Sequence, residues 1–106
     1  MQSAILEDFI DEEVVDRRGN NIGVLSCYWE SAPGHVFLGI KPQGLEEIRV
    51  VPAEGVKLDE HHSCVLVPFA PHKIMTAPVY DCDKELRPQL EEAASRHFGV
   101  ETTHRV

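Results

Sequence analysis

The chain has 106 residues, with ten Lys and Arg against eighteen Asp and Glu for a formal net charge of −8. That length allows one domain with one core, and the negative charge repels phosphate backbones, so nucleic acid is excluded as the expected partner. The longest nearly apolar stretch, Cys64 to Ala70, falls far short of the ~20 residues of a membrane helix, so no membrane insertion is expected.

The N-terminus carries Glu7 and Asp8 among its few apolar residues and has no basic residue before Arg17, unlike a signal peptide. Cys27, Cys64 and Cys82 are an odd number, at spacings that match no zinc or redox motif. The expectation is a reduced, cytoplasmic chain.

From Val14 to Val67 short apolar runs alternate with turn residues, at roughly the 8 to 12 residue spacing of all-β folds. The expected strands are Glu13 to Asp16, Ile22 to Trp29, Val36 to Lys41, Glu47 to Val51, Val56 to Asp59 and Cys64 to Val67, with no helix before Pro68. Turns fall at Arg17 to Asn21, Ser31 to Gly34, Pro42 to Gly44, Pro52 to Gly55 and Glu60 to Ser63, where Gly and Asn accept positive φ and Pro fixes its own. Asp16 is placed to bind turn amides through its carboxylate.

The second and third strands carry a register. Pairing Trp29 with Val36 sets Cys27 opposite Leu38 and Leu25 opposite Ile40, all on the interior face. The same register sets Tyr28 opposite Phe37 and Val24 opposite Lys41 on the outside, where an aromatic pair calls for a cover, either the tail helix or a second subunit. Ile22 is out of phase with Leu25, which a β-bulge at Gly23 would reconcile.

Beyond Pro68 the pattern changes. Pro71 to Ala77 reads as a turn of helix and Pro78 to Asp83 as an extended linker. Pro88 at a first helical position, Glu91 and Glu92 early, Arg96 and His97 late and Gly99 just beyond mark both ends of a helix. Leu90, Ala93, Ala94, His97 and Phe98 form its apolar stripe, with His97 read as a helix-end or partnered imidazole.

The run VVDRRGNNIGVL, then FLGIK, VVPAEG, VLVPFAPHKI and LRPQLEEAASRHFGV, resembles stand-alone PRC-barrel proteins over most of the chain. Val15, Asp16, Gly19, Ile22 and Gly23 fit the family's V-D-x-x-G-x-x-I-G pattern, and Leu25 departs from it where valine is more usual. The resemblance implies a mainly β fold: a small, partly open β-barrel of about six antiparallel strands with a C-terminal α-helix. Residues 1–70 would form the barrel and 71–106 an extension of linker and docking helix within the same domain. The family includes the cytoplasmic domain of the photosynthetic reaction-centre H subunit and a domain of a ribosome-maturation factor, both docking or assembly modules without catalytic residues of their own.

Candidate chemistry is sparse. The Gly19 to Gly23 segment lacks the Lys-Ser/Thr of a P-loop and reads as a hairpin turn. His61, His62 and Cys64, beside Asp59 and Glu60, are the one cluster with metal-ligand chemistry. On a strand His62 and Cys64 would share a face, but structural zinc needs two further ligands. A catalytic thiol lacks the electropositive setting that lowers a cysteine pKa.

The expectation is therefore a non-enzymatic protein–protein interaction module, homodimeric, with no cofactor, no catalytic residue and interface residues Tyr28, Phe37, Leu90 and Phe98. The alternatives are a small metal-binding sensor or enzyme built on His61, His62 and Cys64, and a ribosome-assembly factor that contacts a basic protein.

Overall fold

The computed structural model describes residues 3–32 and 34–100, and the side chains of all of these but 3, 4 and 32. Its secondary structure is mainly β, one six-stranded sheet: β1 (Glu13–Val15), β2 (Asn21–Ala32), β3 (His35–Pro42), β4 (Arg49–Pro52), β5 (Lys57–Asp59) and β6 (Cys64–Leu66). Helix α1 (Ser3–Leu6) precedes the sheet, and α2 (Pro71–Met75) and α3 (Pro88–Phe98) follow it. All six expected strands form, within about two residues of their expected bounds except for β2, which runs on from Trp29 to Ala32. Of the expected turn at Ser31 to Gly34, position 33 lies outside the described residues.

The strand order is β4-β3-β2-β1-β6-β5, an open sheet with β4 and β5 at its edges. It is mixed, which corrects the expectation of antiparallel pairing throughout. Glu13, Val14 and Val15 run parallel to Cys64, Val65 and Leu66, because the chain completes four strands before β6 returns beside β1. The β4 edge is sealed by the segment after α2: the Val50 amide donates to the Pro78 carbonyl at 2.9 Å, and the Tyr80 amide to the Ile48 carbonyl at 3.1 Å. Arg49 and Val79 form an isolated bridge between these bonds.

One face of the sheet encloses the main core, with Val14, Leu25, Leu38, Ile40, Val51 and Val65 fully buried. This core also takes Leu6 and Phe9, from α1 and the 3-10 turn Glu7–Phe9. That N-terminal helical segment contradicts the expected absence of helix before Pro68. Its apolar side chains are too few and too close to acidic residues to show a helical period, and they are ordered by burial under the sheet.

Register decides what the other face presents. Val24 stands opposite Lys41 and Leu25 opposite Ile40, as expected, but the ladder then shifts and Ser26 is left unpaired. Beyond this bulge Cys27 faces Gly39, Tyr28 faces Leu38 and Trp29 faces Phe37. One extra residue turns every following side chain over, so Cys27 and Trp29 leave the interior and Tyr28 enters it. A second irregularity faces β1, where Val14 pairs with Gly23 and Val15 with Asn21, so the extra residue is Ile22 and not Gly23. Gly23 serves close approach instead, since a Cβ there would overlap the Lys41 carbonyl oxygen.

Helix α3 lies on the outer face, where Trp29, Phe37, Val50, Leu86 and Ala94 make a second core. Both of its ends follow local signals: Pro88 opens it, and Gly99 closes it at φ 72°. The Gly99 amide donates to the Arg96 carbonyl at 3.2 Å and the Val100 amide to the Ser95 carbonyl at 2.8 Å, the two bonds of a Schellman motif. The buried stripe is rotated from the expected one: Ala93 is exposed and Ser95 is buried, because the helix leans its Ala94 and Ser95 side onto the sheet.

Candidate functional site

The outer face of β2, β3 and β4 gathers more chemistry than any other part of the described structure. The Ser26 bulge delivers Cys27 and Trp29 to it, and β3 contributes Phe37 and Gly39. Cys27 is joined by a disulfide to Cys82, 55 residues later, in the segment that leads from the β4 edge to α3. This corrects the expectation of a reduced chain and of Cys27 on the interior face, while Cys82 lies in the linker as expected.

Gly39 makes room for that bond. A Cβ at this position would overlap the Cys27 sulfur and stand 3.0 Å from Ile48 Cγ2 and 3.2 Å from Trp29 Cη2. The Trp29 indole N–H donates to the Lys84 carbonyl at 2.8 Å, and the Tyr80 hydroxyl donates to the Glu85 carbonyl at 2.6 Å. The Trp29 and Tyr80 rings meet at a tilt, centroids 6.0 Å apart. A strap of residues 81–87 is thus held across the sheet by one covalent bond, two side-chain hydrogen bonds and buried Leu86.

The four expected interface residues do not share a surface. Phe37 is 7% exposed and pairs with Trp29, so the expected Tyr28–Phe37 pair is replaced; its cover is α3 of the same chain. Leu90 is half-buried in that contact. Tyr28 projects from the opposite face, packs against the main core and donates its hydroxyl to Glu7 Oε1 at 2.8 Å. That bond to a carboxylate, with lesser burial, raises the phenol pKa above its ordinary value. Phe98 packs on Phe69 with ring centroids 4.5 Å apart.

The helix end is tied to α2. Lys73 Nζ donates to the His97 carbonyl at 3.1 Å, while His97 Nε2 lies 2.8 Å from the Lys73 carbonyl and 3.1 Å from Thr76 Oγ1. His97 is therefore the partnered imidazole expected of it.

The His61, His62 and Cys64 cluster does not assemble as a strand would have arranged it. His61 and His62 lie in the exposed turn before β6, outside the strand, and Ser63 at φ 51° reverses the chain between them and Cys64. Asp59 organises that turn, accepting the His61 and His62 amides at 3.0 and 3.1 Å and meeting His62 Nδ1 at 2.8 Å. The His62 side-chain bond leads in holding the Asp59 carboxyl below its ordinary range. Cys64 is buried, which pushes its thiol pKa up, with Asp59 and Glu13 adding to the rise. Among the described residues no group of three or more His, Cys, Asp or Glu side chains is disposed to hold a metal ion.

Asp16 does what its place before the turn predicts. Its Oδ1 accepts the Arg18 and Asn20 amides, each at 2.9 Å, and its Oδ2 accepts Asn20 Nδ2 at 3.2 Å. The Asn20 amide is the largest cause of its lowered pKa, and burial opposes it.

Sequence reasoning missed the Cys27–Cys82 bond and the role of Gly39. A lone glycine between bulky residues in FLGIK was the available signal, since glycine inside a strand marks close approach by another group.

No protein-family model matches the chain, and no curated protein matches its sequence. Among the described residues, no helix is long and apolar enough to cross a membrane.

Proposed function

We propose that this chain is a non-enzymatic docking or assembly module of the PRC-barrel type, cytoplasmic and homodimeric, with no cofactor. The sequence motifs from VVDRRGNNIGVL to RHFGV support the family reading. The open six-stranded sheet with a terminal helix on one face is compatible with it.

One observation carries the docking reading. Met75, at the end of α2, and Val79, within the segment that seals the β4 edge, are 43% and 44% exposed. Both faces of the sheet carry the chain's own cores, and two of the exposed large apolar side chains fall together on this edge with α2, which is the surface we assign to a partner. Methionine suits such a surface because its unbranched, polarisable side chain adapts to the shape it meets.

Light scattering at micromolar concentration tests the reading. The expected mass is twice 11.9 kDa, and Met75→Glu with Val79→Glu is expected to return it to a monomer with unchanged circular dichroism. A monomer throughout, or a dimer indifferent to both substitutions, removes the homodimer at this edge.

A further inference from the structure

We propose that the Cys27–Cys82 disulfide is a redox-operated clasp, and that its reduction lets the strap and the first turns of α3 lift from the outer sheet face. The inference stands apart from the docking reading, because it concerns one covalent bond and the segment that bond holds.

Three observations support it. First, the strap has little else to hold it. Residues 81–87 contain no strand or helix, and Asp81, Asp83, Lys84 and Glu85 are exposed. Only Leu86 is buried, beside the two hydrogen bonds to the Lys84 and Glu85 carbonyls. Helix α3 has 11 residues, too few for a stable helix alone, so its order depends on remaining docked.

Second, the two ends of α3 are held differently. Its C-terminal end is fixed to α2 and its neighbours through His97, Lys73 and the Phe69–Phe98 contact, none of which involves the disulfide. Its N-terminal end is held through the strap and through Leu90, which is half-buried. Breaking the bond therefore frees one end of a segment whose other end stays put, which is a hinge.

Third, the thiol chemistry is divided. Cys27 and Cys82 are each half-buried, within reach of a small thiol, whereas Cys64 is buried with its pKa raised. A low thiolate fraction and poor access keep Cys64 out of exchange.

The chemistry balances with a dithiol reductant. Its thiolate attacks one sulfur of the Cys27–Cys82 bond, the other sulfur leaves as a thiolate and takes a proton, and a mixed disulfide forms. The second thiol of the reductant resolves that bond, so two electrons and two protons reach the protein and the reductant departs as its own disulfide. What reduction uncovers is Trp29, Phe37 and Val50, neighbours across β2, β3 and β4.

Trp29 is the chain's single tryptophan, so the clasp has its own reporter. The experiment compares the full chain oxidised, reduced with dithiothreitol and reoxidised, by tryptophan emission and by hydrogen exchange read with mass spectrometry. On reduction, Trp29 emission is expected to move to longer wavelength, and amides of 81–92 to speed up on the order of tenfold more than those of β1 and β6, which quicken only with the loss of global stability; reoxidation restores both. A Cys27→Ser, Cys82→Ser chain is expected to behave as the reduced protein without dithiothreitol. Exchange that rises equally in all strands, exchange that does not change, or a disulfide that yields only in denaturant would each overturn the clasp.

Discussion

Replacing Phe37 with alanine separates two accounts of this residue, as a side chain offered to a partner or as part of a core beneath α3. Phe37 is 7% exposed, lies opposite Trp29 on one side and Pro52 on the other, and shares its cluster with Val50, Leu86 and Ala94. A phenylalanine buries at least about 150 Å² when fully enclosed, and at about 25 cal/mol per Å² its removal forfeits ~4 kcal/mol. The cavity left behind keeps the expected cost within about 3–5 kcal/mol. Against the ~5–15 kcal/mol stability of a small domain, that is about a fifth of the total or more. Urea denaturation followed by circular dichroism is the assay, with the slope of the transition unchanged so that the midpoint alone reports the loss. A change within about 0.5 kcal/mol, the range of ordinary surface substitutions, would refute the burial of Phe37 under α3.

Other expectations concern single groups. The Cys27→Ser, Cys82→Ser chain should lose up to about 4 kcal/mol in urea, the chain-entropy value for a closed loop of this size, and wild-type protein in dithiothreitol should match it; equal stability of oxidised and reduced protein would contradict this. Gly39→Ala should cost about 1–3 kcal/mol, because the new methyl meets the Cys27 sulfur and the Trp29 ring, and relief of that cost in reduced protein would show the sulfur to be the obstacle. Asp16 has a folded pKa below its ordinary value, so its contribution is present above that ordinary value and fades as pH falls through the folded one. Asp16→Asn should therefore lower the urea midpoint at neutral pH and lose this difference in strong acid; a difference that persists in acid would assign the effect to shape.

What could be read from the sequence was local. Pro88 and Gly99 mark the ends of α3 by their own backbone preferences, and Asp16 caps the turn that follows it because its carboxylate reaches amides two and four residues away. The register from Val24 to Leu25 follows from alternation. It fails at Ser26, where nothing in the residue signals a bulge, and the failure carries Cys27, Tyr28 and Trp29 to the wrong faces. The parallel pairing of β1 with β6 and the contact between Cys27 and Cys82 join segments about fifty residues apart, beyond the reach of periodicity. The histidine turn falls at Glu60 to Ser63, where the sequence placed it, and because β6 starts at Cys64 the hypothetical strand that would have set His62 and Cys64 on one face does not form.

The side of the sheet on which Trp29 lies decides the identity of the outer face and the geometry of the clasp. Nuclear Overhauser contacts from its unique indole ring in oxidised protein measure that directly. The register described here predicts contacts to Leu86 and Ala94 and slow exchange of the indole N–H bound to the Lys84 carbonyl. Contacts instead to Leu38, Ile40 and Val51 would place Trp29 in the main core and contradict the bulge at Ser26.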